Sequence, residues 1–222
     1  MKIHNPYSFV IFDWDGTLMD STGRIVSAMQ NSAHNVGLPV PTEKQVKSII
    51  GLSMQAVTDT LFPNADEHNR SRLLEEYRFQ YIEGDNTPTP LFEGVMEQLE
   101  WLKQQEVTIA VATGKARAGL DRVLKEVGLI DFFDHSICAD EAAGKPHPEM
   151  VNRLMEKFGK QHDETIVVGD SIHDLHMAQN ARVDAIAVTS GANQQHELTP
   201  FEPIAILDNV NQIRDWFSKP VN

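Results

Sequence analysis

Short runs of β-branched and other apolar residues recur along the chain at 9–12, 107–112, 137–139, 166–168 and 185–188, each stopped by a polar residue or a turn. Bounded apolar runs of this length read as strands buried on both faces, the habit of a parallel sheet. Between them the period changes. Val95, Met96, Leu99 and Leu102 recur at helical spacing within 93–105, as do Leu120, Val123, Leu124 and Val127 within 116–127. Segments 148–158 and 172–181 predict two further helices. Strand alternating with helix predicts an α/β fold built on a doubly wound parallel sheet with right-handed crossovers.

Residues 21–85 break this rhythm. The spacing predicts helices at 22–36, 42–50, 53–61 and 66–82 with no convincing strand, and Thr42 with Gln45 has the form of a capping box. A helical block inserted after the first strand reads as a small all-helical cap domain, 21–85, on a core made of 1–20 and 86–222. The return passage Asp85-Asn86-Thr87-Pro88-Thr89-Pro90 has linker composition. Two connections, near Asp20 and Pro88, permit the hinge motion of a lid.

Charge narrows the partners. With 32 Asp+Glu against 19 Lys+Arg the formal net charge is −13, so the surface as a whole repels nucleic acid and anionic membranes. No apolar run approaches the ~20 residues needed to cross a bilayer, and MKIHNPYSFVIFD reaches Asp13 too soon for a secretory signal. Cys138 has no second cysteine to pair with, which fits a reducing compartment, so a cytoplasmic protein is expected. The nine histidines show no zinc spacing.

The strongest chemical signal is Phe12-Asp13-Trp14-Asp15-Gly16-Thr17-Leu18, directly after the first strand. Alternation along an extended chain points Asp13 and Asp15 the same way, and two crowded carboxylates call for a divalent metal, a shared proton, or both. The plain alternative is a polar turn that closes a strand. Trp14, between them, is expected to face the sheet packing instead.

The segment resembles the first motif of the haloacid-dehalogenase-like phosphohydrolases, D-x-D-G-T-L after a strand. The other motifs follow in order: Val111-Ala112-Thr113-Gly114-Lys115, Gly144-Lys145-Pro146-His147-Pro148-Glu149, and Val168-Gly169-Asp170-Ser171-Ile172-His173-Asp174. The resemblance implies a Mg²⁺-dependent phosphatase working through an aspartyl-phosphate. In that reading Asp13 is the nucleophile, and Asp15, protonated at the start beside a charged carboxylate, is the general acid and base. Asp13, the backbone carbonyl of Asp15, and Asp170 are the implied Mg²⁺ ligands, with Asp174 acting through a water or by holding the loop. Thr113, Gly114 and Lys145 would hold the phosphoryl group. Lys115 either attracts the anionic substrate or is an ordinary exposed lysine of a first helical turn.

Within the family, the helical insertion and Val188-Thr189-Ser190-Gly191-Ala192-Asn193 look most like phosphoglycolate phosphatases, which makes a small phosphorylated metabolite the expected substrate. The turn Ile50-Gly51-Leu52-Ser53 is the candidate for the loop over the substrate, with Gly51 and Ser53 as contacts; a plain helix–helix turn is the alternative. His173 and His176 read as helix-surface residues, and Cys138 as a buried small hydrophobe. Relatives usually carry glycine where this chain has Arg182, which puts the turn after that helix in question. A sugar-phosphate mutase or a phosphonate hydrolase would use the same core. A non-catalytic binding module is the alternative of another class.

Overall fold

Phe9, Val10, Ile11 and Phe12 are all fully buried because strand β1 (Phe9–Phe12) lies inside a six-stranded parallel sheet. The computed structural model describes residues 6–219; the first five and last three residues of the expected core segments lie outside the described residues. The other strands are β2 (Thr108–Thr113), β3 (His135–Cys138), β4 (Thr165–Gly169), β5 (Asp184–Val188) and β6 (Ala205–Leu207). Their spatial order is β3-β2-β1-β4-β5-β6. Phe12 is in register with Val111 of β2 and Val168 of β4, so the three strands end within two residues of one another.

Between β1 and β2 the chain runs through α1 (Thr22–Val36), α2 (Glu43–Lys47), α3 (Met54–Leu61) and α4 (Glu67–Phe79), the last continuing into a π-helical turn, Gln80–Gly84. These helices bury an apolar cluster of their own, including Ile25, Met29, Val46, Val57 and Leu73. The Thr42–Gln45 capping box is present. The expected helix over 42–50 is shorter, because the chain leaves α2 through a turn that reaches Gly51 at φ +92°.

Alternate residues of the sheet serve opposite layers, as strand geometry requires. Val10, Phe12, Val111 and Val168 pack with Leu99 of α5 (Val95–Gln104) and Leu120 of α6 (Arg117–Glu126). Phe9, Ile11, Ala112 and Val167 pack with Leu154 of α7 (Glu149–Phe158) and Leu175 of α8 (Ile172–Ala181). At the end of the chain, Leu198 of α9 (Gln195–Leu198) joins the second layer and Phe217 of α10 (Ile213–Phe217) the first. Arg182, at the end of α8, takes the left-handed conformation itself, φ 59°, so the turn forms without glycine. Sheet order reverses at β1, flanked by β2 and β4, and in open α/β sheets the crevice beyond the strand ends at such a point is where ligands bind.

Candidate active site

Three adjacent strand ends bring the loops after β1, β2 and β4 together. Asp13 leaves β1 with its N–H donating to Val168 O at 2.9 Å, which fixes it beside β4. Asp170 follows β4, and Asp174 lies in the first turn of α8, in a reciprocal capping box with Ser171. One carboxylate oxygen from each of Asp13, Asp170 and Asp174 lies within 4.8 Å of the others, and all three residues are buried. Lys145 is buried between two of them: its Nζ donates to Asp13 Oδ1 and, at 2.6 Å, to Asp174 Oδ1.

Electrostatics fit this cluster to a cation. Burial, with repulsion from Asp174 and Asp170, pushes Asp13 well above the ordinary carboxylate range, although Lys145 pulls the other way. Burial and the charge of Asp174 push Asp170 up to about 7, against hydrogen bonds from Ala192 N at 2.7 Å and Thr17 Oγ1 at 2.8 Å. Burial disfavours the charge on Lys145, but Asp13 and Asp174 more than offset it and hold its pKa above the usual lysine value. Asp13 Oδ2 is buried and accepts no hydrogen bond from any described residue. An orphaned oxygen among three carboxylates served by one ammonium fits a hard divalent cation that takes oxygen ligands, as Mg²⁺ does.

Asp15 has partners of its own. The alternation carries past the end of β1, since Trp14 packs in the same layer as Val10 and Phe12, and the chain turns only afterwards, at Gly16 with φ +81°. A side chain at Gly16 would run into the Asp170 carboxylate, which leaves glycine the fitting residue. The Asp15 carboxylate is not one of the three that gather within 4.8 Å: its Oδ1 accepts from Ser21 Oγ at 2.5 Å and pairs with Lys115 Nζ at 2.9 Å. Asp13 is crowded by Asp170 and Asp174 instead. Lys115 is also no exposed first-turn lysine. It donates to Tyr81 Oη at 3.2 Å and lies over the Tyr81 ring, 4.8 Å from its centroid. Burial opposes its charge, and Asp15 more than restores it.

Thr113, Gly114 and Lys145, the residues expected to hold a phosphoryl group, lie near the cluster. Thr113 is fully buried at the end of β2, with its Oγ1 accepting from Lys115 N at 3.2 Å. Gly114 lies directly under the turn 50–53: a Cβ there would stand 2.5 Å from Gly51 O and 2.7 Å from Leu52 O. Ser53 meets Gly144 beside Lys145, and Gly51 faces Ser171. The turn thus lies on three of the core loops. His173 is not a plain surface residue either, since its Nε2 is 2.9 Å from Ser48 O; His176 is exposed. Trp14 is buried in the first layer, its Nε1 donating to Met19 Sδ at 3.3 Å, and Cys138 is buried with its thiol pushed up to about 12 by burial.

Four residues at the site carried no assigned role in the sequence. Ser171 has the spacing of a capping box with Asp174, which is a readable signal. Thr17 stands inside the first motif. Ser21 reads as a helix cap but spends its hydroxyl on Asp15, and Tyr81 reaches the site only through the packing of the helical insertion, so neither is legible from spacing.

Among the described residues no helix is long and apolar enough to cross a membrane. The model of the haloacid dehalogenase-like hydrolase family matches residues 10–188. The probable phosphatase IndB of Dickeya dadantii is 35% identical, covering 92% of this chain and 90% of its own. The phosphoglycolate phosphatase of Vibrio vulnificus strain YJ016 is 31% identical over 93% of this chain and 94% of its own. The crystal structure of a haloacid dehalogenase-like hydrolase from Bacteroides fragilis superposes with a TM-score of 0.85 at 26% identity, covering 93% of this chain and 99% of that one. With the buried carboxylate cluster at the sheet's switch point and these matches across nearly the whole chain, the protein belongs to the haloacid dehalogenase-like hydrolases and is a phosphatase of that family, acting on phosphoric monoesters.

Proposed function

We propose that the protein hydrolyses a small phosphorylated metabolite with Mg²⁺, through a phosphoryl group carried on Asp13. The observation that carries this reading is the Asp13 carboxylate itself: Lys145 fixes Oδ1, while Oδ2 is buried and uncommitted. Asp13, Asp170, the backbone carbonyl of Asp15 and, directly or through water, Asp174 would hold the metal, which when bound neutralises charge on the phosphoryl oxygens. An Asp13 oxygen attacks phosphorus as the bond to the leaving oxygen breaks. Asp15 gives that oxygen a proton, then takes one from the water that attacks phosphorus and releases Asp13. For Asp15 to act as the acid its ion pair with Lys115 has to open, and an arriving phosphate dianion is the competing partner for that ammonium. Thr113 and the backbone at Gly114 hold the phosphoryl oxygens, and Lys145 keeps Asp13 aimed.

Residues 21–85 act in this reading as a cap domain whose turn at Gly51–Ser53 closes over the core loops. Relatives named phosphoglycolate phosphatase make phosphoglycolate the reference compound against which other metabolites are ranked. Wild-type protein should release phosphate from an aryl phosphate with Mg²⁺ and stop when a chelator is added. Release at an undiminished rate with chelator, or in Asp13→Asn, would overturn the reading.

A further inference from the structure

The space beside Asp15 and Lys115 is large and apolar. A cavity of about 520 Å³ lies between the helical insertion and the loop after β2, with Asp15, Gly114 and Lys115 along one side. Its walls include Ile25 and Met29 of α1, Ile50 of the turn, Val57 of α3, and Tyr77. Tyr77 and Tyr81 add an aromatic surface, their ring centroids 5.8 Å apart and tilted by 35°.

The charged groups of this cavity lie along its Asp15–Lys115 side or at its rim. Lys115 is paired with Asp15, Arg122 lies 5.7 Å from the centroid of the Tyr81 ring and pairs with Glu126, and Arg78 and Asp140 are exposed. A carboxylate carried deep into this space would meet apolar side chains. A two-carbon hydroxy acid would leave most of it unfilled, whereas pockets of this size and lining are typical for ring-sized organic ligands.

Resting on the hydrolytic reading above, we propose that the substrate is the phosphomonoester of an alcohol with an apolar, ring-sized body, which fills the cavity walled by Ile25, Met29, Val57 and Tyr77 while its phosphate reaches Asp13. The cavity wall then supplies the specificity, and the carboxylate cluster the chemistry.

A series of ethyl, butyl, hexyl and 2-phenylethyl phosphates tests this, because leaving alcohols of near-equal acidity hold the chemistry constant. With Mg²⁺, kcat/KM should rise about threefold to fourfold per added methylene through hexyl, the value expected for burying one methylene. The 2-phenylethyl ester should match or exceed hexyl, and phosphoglycolate should fall below both. Met54→Gln, on the half-buried wall at the start of α3, should lower the hexyl-to-ethyl ratio several-fold, and Val57→Thr should lower it in the same direction. A flat series with phosphoglycolate as the best substrate overturns the substrate class and leaves the hydrolytic reading standing. Release from no ester, an aryl phosphate included, overturns both.

Discussion

Replacing Lys145 with methionine removes the one ammonium that serves the Asp13–Asp174 pair and leaves a chain of similar length in its place. Both partners are buried, so neither carboxylate can recover the lost interaction from solvent. Breaking a buried pair in this way costs about 3–5 kcal/mol. At about 2–4 °C per kcal/mol for a chain of this size, the metal-free variant should melt about 6–20 °C below wild type. The deficit depends on pH, and its sign is fixed by the raised carboxylates. Asp13 and Asp170 bind protons more tightly folded than unfolded, so between the ordinary carboxylate range and about 7 the folded chain holds more protons and loses stability as pH rises. Without Lys145 those carboxylates hold protons more tightly still. The penalty should therefore be largest at pH 8 and shrink toward pH 5. Thermal melts of both proteins at the two pH values, in the presence of a chelator, measure it. Equal melting temperatures at pH 8, or a deficit that does not shrink at pH 5, would refute the reasoning.

Asp15→Asn should slow turnover about 10²–10⁴-fold, with a smaller loss on aryl than on alkyl phosphates, whose leaving oxygen needs the proton more; equal losses would take the acid role from Asp15. Gly114→Ala should push the Gly51–Leu52 turn off the core loop, costing about 1–3 kcal/mol and raising KM several-fold; an unchanged melting temperature and KM would show that the turn gives way freely. Added Mg²⁺ should raise the wild-type melting temperature more at pH 8 than at pH 5, because the metal competes with protons for Asp13 and Asp170; a larger rise at pH 5 would contradict the carboxylate site.

Where local signals were complete, sequence and structure agree closely. Helix α1 begins and ends at the expected residues, with Gly37 closing it in the left-handed conformation, and α8 does the same behind its Ser171–Asp174 capping box. Strand β1, buried on both faces, shows as an unbroken apolar run. Strand β6 escaped because three half-buried residues after Pro203 carry no pattern that a loop would not also carry. The π-helical turn at Gln80–Gly84 has the same apolar spacing as the helix before it, so the pattern runs through it unmarked. At the site, motif order was enough to gather Asp13, Lys145, Asp170 and Asp174. The partners of the Asp15 carboxylate, Ser21 and Lys115, carry no signal in that motif order. The Asp15–Lys115–Tyr81 contact joins three segments far apart in sequence, and only packing can bring them together.

The central claim is that Asp13 carries the phosphoryl group, and rapid acid quenching during turnover of an aryl phosphate tests it most directly. Proteolysis and mass spectrometry of the quenched protein should find one phosphoryl group, on the peptide containing Asp13, lost on treatment with hydroxylamine and absent from Asp13→Asn. A phosphoryl group on any other residue, or phosphate release by Asp13→Asn near the wild-type rate, would contradict the account.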